Sequence, residues 1–561
     1  MSVTGDDARE GLDEVPGVDG VEPRPSRGPV ARETMLRAAG SILGGLLLVL
    51  SFPPYDIVYL APPALALMTL SWHGVRARRG FWLGYLAGAA FLLPHLAWMR
   101  VVGTDAWLLL GGAFALFIAL TAAGVAATSR LRAWPLVVPL MWVLSEAIRD
   151  RVPLGGFPWG RLAYGQTDTT LTPYAALAGA PLVTFAIALV GALLAFVVLR
   201  WREPRLAVGT LVAVAVICTA GGLVPLPTEG QATDGQPSEV VAAVIQGNVP
   251  EPGLDFQGER EQVLKNHVAE TERLAADVAA GRAPQPDLVI WPENSTDIDP
   301  LRDPAAAARI QSAVDAIDVP VLVGAVVEKP DDPTYIWNTG IVWLPTSSGT
   351  PGPSDFYVKQ HPVPFGEWIP GRAVLAKLIG RFDRIPRDFA PGDSTGVLQV
   401  GPARLGNLIC FEVAYDELGR AAVQGVGVKG DLEGQGARIL AVQTNNATYN
   451  LTGQPQQQLG MSRLRAVEHG RAVLIASTSG ISAIVRPDGT LAGSIGELQA
   501  GYLVDTVPLR DDLTIADSAG AVPELLAAAA AVVLWILAVF GLRRRRDVGS
   551  EEPQPSKEPS A

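Results

Sequence analysis

Long apolar runs dominate the first 225 residues of the chain, and one more lies near its end. A helix needs about 20 mostly apolar residues to cross the roughly 30 Å hydrocarbon core of a bilayer. With that window, the pattern predicts eight membrane spans, at residues 36–52, 55–72, 80–98, 106–128, 134–148, 174–199, 206–224 and 523–542. Buried core helices are the alternative, but seven consecutive runs with almost no charge favour a membrane domain over 35–225 and an eighth span over 522–542.

The two ends of the chain are polar. Residues 1–34 are rich in Asp, Glu, Pro and Gly, which predicts a disordered tail, and 543–561 read as a basic and then disordered tail. Arginines cluster after the second, fourth, sixth and eighth spans, at Arg76, Arg78, Arg79, Arg130, Arg132, Arg200, Arg202, Arg205 and Arg543 to Arg546. Because Lys and Arg are enriched in cytoplasmic loops, this distribution predicts that both termini are cytoplasmic and that the long segment before the eighth span is extracytoplasmic.

Residues 239–517 have a different pattern, in which short β-branched runs alternate with helical stretches. Strands are predicted at 240–247, 287–294, 320–327, 338–344, 403–410, 437–444, 472–478 and 481–487. Helices are predicted at 258–281, 303–317 and 455–469. Strands mixed with helices over this length predict an α/β domain with a large sheet.

Composition excludes several classes of protein. With 49% hydrophobic and 18% charged residues, the chain is neither a disordered protein nor a highly charged soluble enzyme. A net charge of -12 argues against a nucleic-acid binder. Two cysteines exclude a disulfide scaffold and a cysteine-based zinc site, so no metal is expected. No glycine-rich phosphate loop follows a strand, and no cofactor is expected.

Three residues of the α/β segment are candidates for catalysis. Glu293 and Cys410 each follow a predicted strand, and Lys359 lies between them in the chain. Catalytic groups commonly lie at the carboxyl ends of strands in open α/β sheets. Cys410 is the only cysteine of the segment, and it is either a nucleophile or a buried apolar thiol. Each of the others has a plain alternative, a solvated lysine for Lys359 and a loop or capping acid for Glu293.

Sequence motifs around these residues carry a family resemblance. WPEN, KQHPVPFGEWIP and NLICFE occur in this order and resemble the nitrilase superfamily, whose members use a Glu-Lys-Cys triad on an αββα sandwich. Set between seven spans and a final span, the block resembles the apolipoprotein N-acyltransferase family over about residues 36–542. The segments PLMWVLSEAIRDRVPLGGFPWGRLAYGQ and MSRLRAVEHGRAVLIASTSG also match that family. NNATYN departs from its usual Asn-Asp-Ala-Trp-Phe, since Asn446 and Thr448 replace the acid and the tryptophan.

The resemblance implies roles for particular residues. Cys410 is implied as the nucleophile, Glu293 as the general base, and Lys359 as the cation that stabilises the thiolate and the oxyanion. Glu367 and Glu412 are implied as supporting residues near the triad. The implied substrate-pocket residues are Phe411, Trp159, Asn338, Trp368 and Phe256.

The same resemblance implies an activity and its location. A phospholipid acyl donor would acylate the cysteine, and a diacylated apolipoprotein would accept the chain, in a multi-pass monomer of the cell membrane surrounded by membrane lipid. A membrane-anchored nitrilase-type amidase or hydrolase, which uses water as acceptor, is the second hypothesis. The third is a transport or sensor protein with a binding domain. The stretch 365–390 is either an interfacial lid over the site or a core-packing helix.

Overall fold

The computed structural model describes residues 28–232, 235, 237–249 and 260–548 of the chain. Phe256, one of the expected pocket residues, lies outside these residues. The described chain forms a helical part, an α/β part and a last apolar helix, in that order. This arrangement confirms the fold class predicted from the apolar runs and the strand pattern.

Apolar helices form the first part of the molecule. They are α1 (Gly28–Leu50), α2 (Ala61–Trp72), α3 (Ala77–His95), α4 (Thr104–Thr128), α5 (Trp134–Arg149), α6 (Ala175–Leu199) and α7 (Pro204–Gly221). α3 packs closely on α4 because Gly80, Gly84 and Gly88 recur every fourth residue on the face that meets α4. A Cβ atom at Gly84 would lie 2.3 Å from Cβ of Ala122, so a larger residue would force the two helices apart.

Within the described residues, the α/β part contains twelve strands and six helices. The strands are β1 (Glu239–Gln246), β2 (Leu288–Ile290), β3 (Val321–Glu328), β4 (Ile336–Leu344), β5 (Gly352–Val358), β6 (Val397–Val400), β7 (Ala403–Ile409), β8 (Ile439–Thr444), β9 (Val473–Ser477), β10 (Ser482–Val485), β11 (Leu491–Ile495) and β12 (Gly501–Pro508). The helices are α8 (Arg260–Ala279), α9 (Pro304–Ile317), α10 (Arg372–Leu378), α11 (Asp416–Gln424), α12 (Gln454–His469) and α13 (Ile515–Ala519). Each predicted strand and helix of this part overlaps one of these elements.

The strands form two six-stranded sheets with the same plan. The first has the order β12-β1-β2-β3-β4-β5, and the second has the order β11-β10-β9-β8-β7-β6. In each sheet three adjacent strands are parallel, β1-β2-β3 in the first and β9-β8-β7 in the second, and the outer strands are antiparallel. Parallel strands end at a common edge, and loops at that edge commonly carry ligands and catalytic groups.

The sheets pack face to face between helices. Along β8, Ile439 and Ala441 belong to the core between the sheets, whereas Leu440 and Val442 belong to the core on the outer face. This alternation is the period of two expected of a strand whose two faces are both buried. α8 and α9 cover the first sheet, and α11 and α12 cover the second, which gives an αββα sandwich. The layer formed by α11 and α12 shares one core with the helical part, so the second sheet faces the apolar helices.

The last helix, α14 (Val522–Val548), returns to the helical part and packs on α5. Among the described residues, five helices are long and apolar enough to cross a membrane: Ala31–Leu50, Thr104–Thr128, Thr172–Leu199, Pro204–Gly221 and Val522–Phe540. α2 has 12 residues, which is about 18 Å of helix at a rise of roughly 1.5 Å per residue and short of the hydrocarbon core. Eight spans therefore remain a prediction.

Two boundaries differ from those expected from composition. α1 begins at Gly28, so residues 28–34 are helical although the sequence pattern indicates disorder for 1–34. An ion pair of 2.9 Å between Glu33 and Arg37, four residues apart, stabilises the helix close to this end. α14 continues to Val548, beyond the expected end of the span at residue 542. Residues 1–27 and 549–561 lie outside the described residues.

Candidate active site

Glu293, Lys359 and Cys410 come together at one edge of the sandwich. Glu293 lies three residues after β2 and Lys359 directly after β5, both in the first sheet, whereas Cys410 directly follows β7 in the second sheet. Nζ of Lys359 lies 3.2 Å from Oε1 of Glu293. Both residues interact electrostatically with Cys410. The site is therefore built between the sheets from three strand ends that are far apart in the sequence.

Cys410 occupies an unusual backbone conformation. Its φ is +54°, a left-handed value that non-glycine residues seldom adopt, and the residue opens a short 3-10 turn that ends at Ala414. Strained residues of this kind cluster at active sites, where surrounding contacts hold them in place. Glu412 provides several such contacts. Its carboxylate accepts hydrogen bonds from the backbone N–H of Ile409 at 2.8 Å and from that of Gln360 at 2.7 Å.

Glu412 thereby connects the segments that follow β5 and β7. The hydroxyl of Tyr357 on β5 donates to the carboxylate at 2.9 Å, and Glu412 is fully buried. Burial raises the pKa of Glu412, while its hydrogen bonds and Lys359 act in the opposite direction. Because Lys359 and Cys410 lie in the connected segments, Glu412 fixes one relative to the other. The supporting role that the sequence motif implies for Glu412 stays a prediction.

Lys359 is held between two carboxylates. Its ammonium lies 2.9 Å from Oε1 of Glu367, in addition to the contact with Glu293, and the lysine is 1% exposed. Burial opposes the charge of Lys359, but the two carboxylates outweigh it and hold the pKa of the ammonium well above its usual value. Asn338 donates to Glu293 at 2.7 Å and to Glu367 at 2.9 Å. Asn338, expected in the substrate pocket, thus lies against the acids of the site.

The surroundings of Cys410 disfavour its thiolate. Burial and the charge of Glu293 raise the pKa of the Cys410 thiol to about 12, although Lys359 and the Thr444 hydroxyl act in the opposite direction. The carboxylate of Glu293 thus adds to burial in disfavouring a thiolate. Nucleophilic attack by a thiol requires the thiolate, so a base must remove the proton. Glu293 is suited to this task, since the backbone N–H of Asn445 orients its second carboxylate oxygen at 2.7 Å.

Phe411 joins the turn of Cys410 to the helical part. Its ring stacks on Trp159 with a centroid distance of 5.8 Å and on Phe157 with 5.5 Å. Trp159 is 2% exposed, and its indole N–H donates to Oε1 of Gln457 at 2.6 Å. Trp98 donates to the same oxygen at 3.1 Å. In this structure Trp159 is thus part of a packed contact between the two parts of the molecule.

Residues 365–390, here called the arm, lie beside the site. The arm carries Glu367 to Lys359, and it contains α10. The indole N–H of Trp368 donates to the carbonyl of Pro362 at 3.0 Å. Arg381, near the tip of the arm, forms a hydrogen bond of 2.7 Å with Asp105 at the start of α4. The arm therefore extends from the buried lysine to the helical part.

Four buried polar residues form a hydrogen-bonded network at Cys410, and none of them was predicted as a site residue. Thr444 ends β8, and its hydroxyl lies 3.3 Å from Sγ of Cys410. The others are Asn446, Gln454 and Gln458, which are buried and hydrogen-bonded to one another. The sequence could have indicated Thr444 as a site residue, because it is the last residue of a strand that runs parallel to β7. Among the described residues, no cluster of His, Cys, Asp or Glu is arranged to hold a metal ion.

Comparisons with known proteins cover both parts of the chain. Residues 44–193 match the family model of the apolipoprotein N-acyltransferase N-terminal domain, and residues 241–511 match that of carbon-nitrogen hydrolases. Among solved structures, an amidase from Nesterenkonia sp. is similar, in a match that covers 52% of this chain and 97% of the amidase, with 20% identity and a TM-score of 0.35.

Relatives are similar over most of their length. An apolipoprotein N-acyltransferase of Mycolicibacterium smegmatis is 39% identical over 90% of this chain and 85% of its own. An apolipoprotein N-acyltransferase of Geobacter metallireducens is 30% identical over 89% of this chain and 94% of its own. These relatives match the helical part and the α/β part together. The chain therefore belongs to the apolipoprotein N-acyltransferase family.

Proposed function

We propose that this chain moves an acyl chain from a membrane phospholipid, through a thioester on Cys410, to the α-amine of the S-diacylglyceryl cysteine of a lipoprotein. The observation that carries the proposal is the buried contact of 3.2 Å between Lys359 and Glu293, both interacting with the thiol of Cys410. A base, a cation and a nucleophile in one pocket are the parts that acyl transfer requires.

The first half-reaction forms the thioester. Glu293 takes the thiol proton, and the sulfur of Cys410 attacks the ester carbonyl carbon of the phospholipid. Lys359 and the backbone N–H of Phe411 stabilise the oxyanion that forms, and loss of one such donor typically slows a reaction about 10²–10³-fold. The intermediate then collapses, the bond to the glycerol oxygen breaks, and Glu293 returns its proton to that oxygen. The products are a lysophospholipid and an acyl-enzyme.

The second half-reaction transfers the chain to the acceptor. An α-amine has a pKa of about 8, so part of it is neutral and able to attack near neutral pH. Glu293 removes the proton that the nitrogen loses as it attacks the thioester carbon. The carbon–sulfur bond breaks, and the thiolate of Cys410 leaves beside Lys359 and regains a proton from Glu293. The product is an amide. A thioester accepts an amine more readily than an ester does, which is the benefit of dividing the transfer into two steps.

The helical part explains how the substrates reach the site. Both substrates carry acyl chains, and confinement in the same membrane raises their effective concentration at Cys410. Because the second sheet and the apolar helices share one core, the thiol is held at a fixed position relative to those helices. With eight spans and the arginine clusters inside, both termini are cytoplasmic and the α/β part is extracytoplasmic. Lipoproteins that have been exported across the membrane are then on the same side of it as the α/β part.

Hydrolysis of the thioester is the competing reaction. The arm lies beside the triad through Glu367, and its Ile369 and Phe382 are buried, so it is suited to exclude water from the acyl-enzyme. Phe411, Trp159, Asn338 and Trp368 remain our candidates for contacts with the lipid or its surroundings. Phe256 is a candidate from the sequence motif alone.

Mass spectrometry of the purified protein in detergent tests the proposal. After incubation with a labelled phospholipid, we expect an acyl group on Cys410, and after addition of a diacylated lipopeptide we expect the N-acylated peptide. Cys410→Ser should give neither product, whereas Cys218→Ala, which removes the thiol in α7, should give both. Free fatty acid without N-acylated peptide would favour the amidase or hydrolase alternative. Full activity of Cys410→Ser would refute the triad.

A further inference from the structure

The hydroxyl of Thr444 has three acceptors within reach and one proton to give. Oγ1 lies 3.3 Å from Sγ of Cys410, 3.1 Å from Oε1 of Gln458 and 3.4 Å from Oδ1 of Asn446. A hydroxyl rotates about its C–O bond, so its proton points to whichever of these acceptors is strongest in a given state of the site. Which acceptor is best depends on the charge of the sulfur.

Strand register brings Thr444 and Cys410 side by side. β7 and β8 are parallel, with Ile409 opposite Gln443, so Cys410, the first residue after β7, comes next to Thr444, the last residue of β8. Thr444 is 1% exposed, and its hydroxyl is shielded from bulk water. A hydrogen bond to an ionised partner in such surroundings is about twice as strong as one between neutral groups.

Neighbouring amides fix the orientation of Gln458. Its Oε1 accepts from Nδ2 of Asn446 at 2.7 Å and from Nε2 of Gln454 at 3.3 Å. Because Oε1 faces these donors and Thr444, the amide nitrogen of Gln458 faces the sulfur, at 3.9 Å from Sγ. The side of the sulfur that faces this network therefore meets only neutral donors, whereas the triad provides the charged groups.

The position of this network is set from the helical part. Gln457, the neighbour of Gln458 on α12, accepts hydrogen bonds from the indole N–H groups of Trp98 and Trp159. Its amide nitrogen donates to the carbonyl of His95 at 3.0 Å. One turn of α12 thus faces the apolar helices with Gln457 and the nucleophile with Gln458.

We propose that Thr444 is a further catalytic residue, whose hydroxyl turns from Gln458 to the sulfur when Cys410 becomes a thiolate. The inference rests on the proposed role of Cys410 as nucleophile. A protonated thiol is a weak acceptor, so at rest the hydroxyl donates to the amide oxygen of Gln458. Once Glu293 has taken the proton, the anionic sulfur is the stronger acceptor and the hydroxyl donates to it.

The rotation favours the charged state selectively. In the thioester the sulfur is neutral again, and the hydroxyl returns to Gln458. When the amine attacks, the departing thiolate again accepts a hydrogen bond from the hydroxyl of Thr444. Interactions that are stronger at the transition state than in the ground state accelerate a reaction, so Thr444 assists both half-reactions.

Alkylation of the thiol by iodoacetamide measures this effect without lipid turnover. In the Cys218→Ala background Cys410 is the only thiol, and at pH 8.5 the alkylation rate follows the thiolate fraction. We expect Thr444→Val to slow alkylation about tenfold, a change typical of one hydrogen bond to a charged group. Thr444→Ser, which keeps the hydroxyl, should stay within about twofold of the parent. Thr444→Ala is the second variant without a hydroxyl, in case the valine variant does not fold.

Thr339→Val is the matched control. This threonine of β4 is equally buried, and its hydroxyl donates to the carbonyl of Ala325 at 2.8 Å, away from the sulfur. Parental alkylation by folded Thr444→Val or Thr444→Ala would overturn the inference, and so would Thr444→Ser that is as slow as Thr444→Val. If the parent shows no acyl transfer from phospholipid to lipopeptide, the proposed function fails, while the alkylation rates still decide the role of Thr444.

Discussion

Nη1 of Arg161 lies 2.8 Å from both carboxylate oxygens of Asp416, and both residues are buried. Arg161 belongs to the helical part, whereas Asp416 begins α11 in the α/β part, and only Tyr415 separates it from the turn that contains Cys410. Arg465 on α12 donates to Asp416 at 2.6 Å and to the carbonyl of Val413 in the same turn at 2.8 Å. An ion-pair network that joins the two parts thus holds the turn that contains Cys410.

Removal of the charge of Asp416 should destabilise this junction, the ion-pair network of Arg161, Asp416 and Arg465 between the helical part and the α/β part. Loss of one partner of a buried ion pair typically costs roughly 3–5 kcal/mol, so Asp416→Asn should melt several degrees below the parent in detergent. The matched control is Asp393→Asn, since Asp393 pairs with Lys429 at the surface with its side chain 87% exposed, and surface pairs contribute about 0–1 kcal/mol. Equal melting temperatures for the two variants would contradict a stabilising role for the junction.

The same pair determines a pH dependence. Burial alone would raise the pKa of Asp416. The charges and hydrogen bonds of Arg161 and Arg465 outweigh burial and hold this pKa well below its usual range. A depressed pKa in the folded state contributes stability above the unfolded value of about 3.9, and this contribution is lost as the pH falls through the folded value. The difference in melting temperature between the parent and Asp416→Asn should therefore be constant from pH 5 to pH 8 and shrink only in more acidic solution.

Lys359→Met should abolish thioester formation. The pKa of Lys359 lies well above its usual value, so the ammonium is present at every practical assay pH, and methionine removes the charge with little change in length. We expect acylation of Cys410 to fall at least about 10²–10³-fold, as measured by mass spectrometry with labelled phospholipid. Lys359→Arg should not restore the rate, because a planar guanidinium cannot replace a compact ammonium between Glu293 and Glu367.

Lys429→Met controls for the loss of a lysine elsewhere. Lys429 has a side chain 61% exposed, and its partner Asp393 is also at the surface. Its variant should acylate like the parent. Parental acylation by Lys359→Met would show that the oxyanion is stabilised by other groups.

The sequence pattern predicted two of the three strand ends that meet at the candidate site. Glu293 and Cys410 follow strands whose apolar runs are plain in the sequence, and ends of parallel strands meet at an edge. β5, which positions Lys359, gave a weaker signal, because four consecutive residues of this strand are exposed and the alternation of polar and apolar positions is lost. For Lys359 the motif, and not the strand pattern, supplied the prediction.

Contacts between distant segments could not be predicted in this way. Arg161 and Asp416 are 255 residues apart, and each alone reads as an ordinary surface charge. Thr444 and Gln458 become neighbours of the sulfur only through the register of β7 and β8 and the approach of α12. Periodicity reports which face of an element is buried, whereas the partner across an interface depends on how whole elements pack.

Glu293→Gln should have opposite effects on two reactions of the same thiol. Acyl transfer should be lost, because the amide cannot accept the thiol proton. Alkylation by iodoacetamide at pH 8.5 should become faster, by about tenfold for one pKa unit, because the charge of Glu293 is one of the causes that raise the pKa of Cys410. Lys359, released from one carboxylate, is then free to pair with the thiolate.

Glu261→Gln is the control, since Glu261 on α8 is exposed and pairs with Lys265 and Arg309. It should match the parent in both reactions. Slower alkylation of Glu293→Gln would mean that Glu293 acts as the base in alkylation too, and that its charge is not what suppresses the thiolate.

The ion pair at the tip of the arm should control its mobility. Arg381 lies 2.7 Å from Oδ1 and 2.6 Å from Oδ2 of Asp105, a two-pronged contact between the arm and α4. Both side chains contact water, so the pair should weaken with added salt.

Arg381→Gln should therefore increase hydrogen exchange in residues 372–385, as measured by mass spectrometry at 0.05 M and 0.5 M salt, without a change in melting temperature. In the parent, exchange of this segment should rise at high salt, whereas in the variant it should be fast at both concentrations. The double variant Asp105→Arg with Arg381→Asp restores a pair of opposite sign and should recover slow exchange at low salt. If the double variant exchanges as fast as Arg381→Gln, packing of Ile369 and Phe382, and not the ion pair, holds the arm against the helical part.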